Sequence, residues 1–179
     1  MIGKRRSTVN ELIKGAVAGA AGVWAMDRVG WFMYLREDED ALRQEERVRP
    51  GGLDPAHNIA GRVASALGRE LVPEQPNQWG IVAHYALGVL PGALYGVLRH
   101  RYPGLASSQG ALYGLGLFVV NDELANPLLG LSGGPLEYPW QAHARGLVEH
   151  VILGVVTDLV LRTMDRELNP PTLAGYRVA

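Results

Sequence analysis

The chain has no cysteine among its 179 residues, so it forms no disulfide framework and offers no thiolate for catalysis or metal binding. Net charge is also missing: 17 basic and 18 acidic residues leave −1. That balance lacks the basic surface that polyanion recognition requires, and excludes a nucleic-acid partner. Phenylalanine is scarce, with two residues. No apolar run of about 18 residues passes without interruption, so no segment has the pattern of a simple membrane-spanning helix. No nucleophile elbow, P-loop, HExxH or dinucleotide fingerprint in its strand context occurs, and the chain is therefore not expected to be an enzyme.

What is there is glycine, 23 residues, within a composition that is 47% hydrophobic. A glycine inside a soluble helix costs roughly 1 kcal/mol. In lipid it lets helix backbones approach closely. Four stretches are long enough to cross ~30 Å of hydrocarbon at about 1.5 Å per residue: residues 12–35, 79–98, 109–131 and 141–163. Each is interrupted. The first carries Asp27 and Arg28, and the second His84. The third carries Asn121, Asp122 and Glu123; the fourth carries Arg145, Glu149, His150 and Asp158. The expectation is an all-α, single integral membrane domain: a four-helix transmembrane bundle in a lipid bilayer.

Charge between the spans orients them. Lys4, Arg5, Arg6 and Lys14 precede or open the first, Arg99 and Arg101 follow the second, and Arg166 and Arg177 follow the fourth. The connection 131–142 has no Lys or Arg, while the long connection 36–78 runs against the pattern with six arginines beside nine acids. Positive-inside topology then puts both termini in the cytoplasm of a bacterial inner membrane, with Trp31, Trp79 and Trp140 at the outer boundary. A secretory signal peptide fits poorly, since no convincing cleavage site precedes Asp27. Within 36–78, the acidic start reads as a solvated stretch. Asp54 and Pro55 then cap an amphipathic helix with Ile59, Val63 and Leu67 on one stripe, lying on the membrane or capping the bundle.

Two stretches carry a resemblance: HYALGVLPGALYGVLRHRYPGLASSQGALYG from His84, and LLGLSGGPLEYPWQAHARGLVEHVILGVVTDLVLR from Leu128. With Leu129 to Leu131, Pro139, Trp140, Glu149 and His150 as its most specific part, the chain resembles the YagU-like family of small bacterial inner-membrane proteins. The likeness runs over roughly residues 12 to 165. It implies an inner-membrane four-span protein and brings no established activity.

Small residues at intervals of four form ridges: Gly15 and Gly19; Gly88, Gly92 and Gly96; Gly110 and Gly114. Such faces pack helices. Pro91 is expected to kink the second span. Counted from the outer boundary, the ionisable groups of all four spans fall roughly 7–13 Å deep. A charge in lipid is costly, so Asp27, Arg28, His84, Asp122, Glu123, Arg145, Glu149 and His150 are expected to face inward as one polar cluster. One reading is an ion-pair network of Arg28 and Arg145 with the four carboxylates, and another is a site for protons or a cation. His84, Asp122, Glu149 and His150 also offer ligand types for Zn or Fe, and His84 with His150 a haem pair, although adjacent Glu149 and His150 match no standard spacing. Cofactor identity stays open. Asp158 with Arg162 reads as a simple pair four apart, His143 as a solvated interface residue, and His57 and His100 as exposed. Functionally the expectation is a proton- or cation-handling membrane protein. The alternatives are a scaffold or accessory subunit, as a homo-oligomer or within a larger membrane complex, and a soluble ligand-binding bundle.

Overall fold

A computed structural model describes residues 7–71 and 75–168. Lys4, Arg5, Arg6 and Arg177, used above for orientation, lie outside the described residues. The described chain is helical throughout. Four long helical segments run antiparallel in sequence: α1 (Thr8–Tyr34), α4 (Gln78–Arg101), a third made of α6 (Ala111–Leu117), a π-helical stretch (Phe118–Ala125) and α7 (Asn126–Leu128), and α8 (Trp140–Leu168). Between the first two lie α2 (Glu39–Val48) and α3 (Pro55–Ala66), and α5 (Pro103–Ser107) turns the chain after α4. By length and composition α4 is the one helix among the described residues apolar enough to cross a membrane.

Local chemistry sets the boundaries. Asp38 caps α2 by accepting from the Asp40 and Ala41 amides, and Asn77 caps α4 through the Gly80 amide at 2.9 Å. Asp54 accepts from the His57 amide at 2.9 Å with Pro55 at the first helical position, as the sequence predicts. Pro91 sits inside α4 without dividing it. The third segment departs from the uniform helix expected over 109–131. Pro127 has no N–H to donate one turn back, and the helix before it widens. The Asn126 amide reaches the Asn121 carbonyl, five residues earlier, as in a π-helix. The segment stops at Gly130 (φ 63°), where the Gly130 amide bonds to Pro127 and the Leu131 amide to Asn126, the Schellman pattern.

Packing runs from α4 to α1, from α1 to α8, and from α8 to α6. The predicted glycine ridges lie at the first and last of these crossings. A Cβ placed on Gly92 would lie 2.8 Å from the Gly15 carbonyl oxygen and 2.8 Å from Gly19 Cα, and one on Gly19 would lie 2.6 Å from the Gly88 oxygen. Gly96 meets Glu11 and Gly15 in the same way. Gly110 and Gly114 face α8 backbone at Gly154 and His150, and Gly110 has φ 88° besides. Gly154, Gly22 and Gly30 make equivalent close contacts that the spacing rule alone did not single out.

The distribution of polarity is inverted relative to a water-soluble bundle. Asp158 is 1% exposed, Glu11 4% and Lys14 6%, while Trp24 is 58% and Leu128 83% exposed. Apolar cores exist but are small: Ala18, Tyr95 and Leu161 in one cluster, and Val23, Met26 and Leu153 in another.

Two expectations for the 36–78 connection change. The acidic stretch is not simply solvated, because Glu45 of α2 is buried. The face of α3 that packs on α4 is Ala56, His57, Ala60 and Ala64, while Val63 and Leu67 point outward. Small residues win the contact because the His57 ring fills the place that a side chain on Gly80 would take.

Replacing Gly92 by Leu should therefore force α1 from α4 and cost at least the roughly 1–3 kcal/mol of an overpacked core. Leu90→Ala, at a 69% exposed neighbour, should stay within about 0.5 kcal/mol. Thermal unfolding of the two purified variants decides it; a Gly92→Leu protein as stable as Leu90→Ala would contradict this packing.

Candidate functional site

The helices converge where glycine faces glycine and part towards the end closed by α2, α3 and the 132–138 turn. Between them lies a cavity of about 460 Å³, bounded by α1, α4, the π-helical stretch and α8. Its lining brings together seven of the eight residues read as a cluster: Asp27, His84, Asp122, Glu123, Arg145, Glu149 and His150. Arg28 is the exception. It lies on the outward face of α1 with its guanidinium 5.9 Å from the Trp24 ring centre. Adjacent residues on a helix diverge by about 100°, and with Asp27 turned to His84 across the cavity, Arg28 falls on the exposed side of α1.

Within the cavity Asp27, Asp122 and Glu123 take histidine partners rather than the expected arginines, while Glu149 faces the expected Arg145 at 3.8 Å. Asp27 Oδ1 is 2.8 Å from His84 Nε2, and Glu123 Oε1 is 2.6 Å from His143 Nδ1. Asp122 Oδ2 lies 3.5 Å from His150 Nδ1, which donates to the Gly146 carbonyl at 2.9 Å. The π-helical widening lets the consecutive acids Asp122 and Glu123 both reach α8, one at His150 and the other at His143. His143 is thus a member of the site and not a solvated residue.

Both ring nitrogens of His143 have partners: Nε2 is 2.9 Å from the Pro135 carbonyl oxygen and Nδ1 is 2.6 Å from Glu123. These contacts hold the ring between the π-helical stretch and the 132–138 turn. His57 is held in a similar way, with Nδ1 2.8 Å from Asp54 and Nε2 accepting the Asn77 amide at 3.1 Å. His57 is buried at 6% exposure, contrary to the expectation from sequence.

Arg145 is held elsewhere than expected. Its Nη1 pairs with Glu37 and its Nη2 with Glu45 at 2.6 Å, tying α2 and its N-terminal approach to α8, while its Nε is 3.8 Å from Glu149 Oε1. Arg49 also pairs with Glu45. Glu149 lies against Gly30 and makes no hydrogen bond among the described residues. At the rim, burial pushes the Tyr138 phenol above its ordinary value, so it stays a donor.

The metal and haem sets read from sequence do not assemble here. His84 turns its Nε2 to Asp27, and His150 its Nδ1 to a carbonyl. Among the described residues, the one group whose ligand atoms converge is Glu11, His100 and Asp165 at the opposite end. Lys14 already sits there, 2.6 Å from Glu11 and 2.5 Å from Asp165.

That opposite end is a second ionic layer, which sequence reasoning missed. Asp158 accepts from Tyr95 Oη at 2.9 Å and pairs with Arg99 at 3.3 Å and with Arg162. It is no simple pair near a helix end. Arg99 also reaches Asp165 at 3.3 Å, and His100, read as exposed, is 3.0 Å from Glu11. The signal was present in the spacings Glu11–Lys14 and Asp158–Arg162–Asp165, three or four apart on single faces. Among the described residues, Glu11, Asp158 and Asp165 each pair with one or more of Lys14, Arg99 and Arg162, and His100 joins them at Glu11.

Comparison of the chain with protein-family models, with curated proteins and with solved structures finds no match.

Removing Arg145 leaves Glu37 and Glu45 short of a buried partner, so Arg145→Gln should cost about 3–5 kcal/mol. Glu149→Gln, which breaks no hydrogen bond, should cost no more than about 1 kcal/mol. Denaturant unfolding of both variants measures the difference, and equal losses would make Glu149 the principal partner of Arg145.

Proposed function

We propose that the protein is a multi-pass inner-membrane protein, with both termini cytoplasmic, that takes protons or a small cation from the outer side into the carboxylate–histidine cavity. The observation that carries this reading is the inverted polarity. Large apolar side chains are exposed along all four long segments, while Glu11, Lys14, Arg99, Arg145 and Asp158 are buried beside small apolar cores. An exposed apolar surface of that extent needs an apolar partner, and lipid is the one that surrounds a bundle on every side. Window hydropathy counts charges without regard to face. It therefore passes α4 and not α1 or α8, whose Glu11, Lys14, Arg145, Asp158 and Arg162 turn inward. The YagU-like resemblance, held as a proposal, carries the same topology.

Orientation follows from charge. Lys14, Arg99, Arg101, Arg162 and Arg166 gather at the end where α1 begins, and the 131–142 connection has none. The cavity then opens outward and the paired ionic layer closes the cytoplasmic side. The carboxylate–histidine pair Glu123–His143, at the rim, favours a proton-handling role. One observation favours the accessory-subunit alternative: Arg28 on the outward face of α1 has an aromatic ring and no carboxylate beside it among the described residues.

The lack of cysteine makes the topology directly testable. A membrane-impermeant maleimide on intact cells should label Leu136→Cys and spare Ser107→Cys, both at exposed positions. Reconstituted in liposomes, the wild type should move protons or a cation across an imposed gradient, and Glu149→Gln should not. Labelling of Ser107→Cys would remove the four-span topology; a wild type without flux would remove the transport role.

A further inference from the structure

We propose that the cavity takes a hydrophobic organic monocation, an amine or quaternary ammonium with an apolar body, with Glu149 as its counter-ion. This rests on the cation-binding reading above and narrows it. Size is the first observation. At about 460 Å³ the cavity lies within the range of small-molecule sites, about 300–1,000 Å³. A metal ion needs converging ligand atoms, and among the described residues the group that offers them is at the other end of the bundle.

The second observation is the polarity gradient. Towards mid-helix the lining is Val23, Met26, Leu87, Leu117, Phe118 and Leu153, which gives a bare or hydrated ion nothing to bind. It suits an alkyl or aryl group, whose transfer from water is favourable. Directly above, one helical turn from Leu153, stands Glu149. Trp31 and Tyr34 line the wall nearby, and the Tyr34 ring already takes a cation, the Arg145 guanidinium 5.3 Å from its centre.

The third is the state of Glu149. Asp27 and Glu123 have histidine partners within 2.8 Å, and Asp122 faces His150 at 3.5 Å. Arg145, on the same helix as Glu149, is taken by Glu37 and Glu45 and stands 3.8 Å away, and His84 across the cavity is taken by Asp27. The Glu149 carboxyl thus has no hydrogen-bond partner among the described residues, and its ionised form would have charge to offer a ligand. Protonating it withdraws that charge, so protons and the organic cation compete for one group. Asp27, His84, Asp122, His150 and Arg145 face the same space and set the pH at which the exchange occurs.

Calorimetric titration of the full-length protein in lipid nanodiscs tests this, with benzyltrimethylammonium, tetramethylammonium, sodium and magnesium as separate probes. Benzyltrimethylammonium should bind more tightly than tetramethylammonium and than either metal ion, and its affinity should fall as the pH is lowered. Glu149→Gln should weaken it about thirtyfold or more, as loss of a desolvated charge partner does. Ala142→Trp, which crowds the rim and leaves Glu149 in place, should also weaken it and serves if Glu149→Gln does not fold. Equal affinity for the two ammonium ions, or wild-type affinity in both variants, overturns the inference. Sodium, magnesium or proton uptake without benzyltrimethylammonium binding overturns it too, while the broader cation role stands. No binding and no uptake of any probe removes both.

Discussion

Backbone-to-backbone contact between glycines is the constraint on which the rest of this structure depends. Where Gly15 and Gly19 sit on Gly88 and Gly92, α1 and α4 meet backbone to backbone, which leaves little freedom to slide. Gly110 and Gly114 fix the third segment on α8 in the same manner. Heights along the bundle are thereby set, and they bring Asp27 level with His84, Asp122 with His150, and Lys14 with Asp165. Close approach also shortens the reach between opposite charges, which a low-dielectric interior rewards only when geometry is good.

The two ends of the bundle use ionisable groups differently. At the end where α1 begins, each described acid meets a lysine or arginine, and Asp158 by itself draws on Tyr95, Arg99 and Arg162. Such saturation rigidifies. At the other end acids outnumber arginines, histidines take their place, and Arg145 is turned to holding α2. Groups that can gain or lose a proton near neutrality therefore concentrate where there is open volume.

Much of this was legible in the sequence. The four segments, the cap at Asp54 and the glycine ridges follow from periodicity and turn chemistry, because these are local rules. Seven of eight cluster residues line one cavity because depth can be counted along a helix. Arg28 escaped the count because depth says nothing about azimuth, and Asp27 next door takes the inward direction. Partner choice was not legible: Arg145 binds Glu37 and Glu45, about a hundred positions away, and only the fold of the 36–78 connection brings them near. The π-helical stretch was signalled by Pro127 after two acids, but its register depends on what α8 presents to it. Asp158 and His100 were misjudged by their closeness to helix ends, a poor guide where a neighbouring helix extends past the same level.

One seam in the bundle has a consequence for traffic. The segments α4 and α6 do not pack backbone to backbone; they meet through the stacked rings of Tyr95 and Tyr113, 4.3 Å apart at their centres. Towards the cavity α4 and α6 contribute the side chains of Leu87 and Leu117, and side chains swing on far shorter timescales than helices move. In a bilayer this seam faces acyl chains. A solute with an apolar body would meet it already concentrated by partition into lipid, and its arrival rate would follow its oil–water distribution rather than its dilution in the external medium.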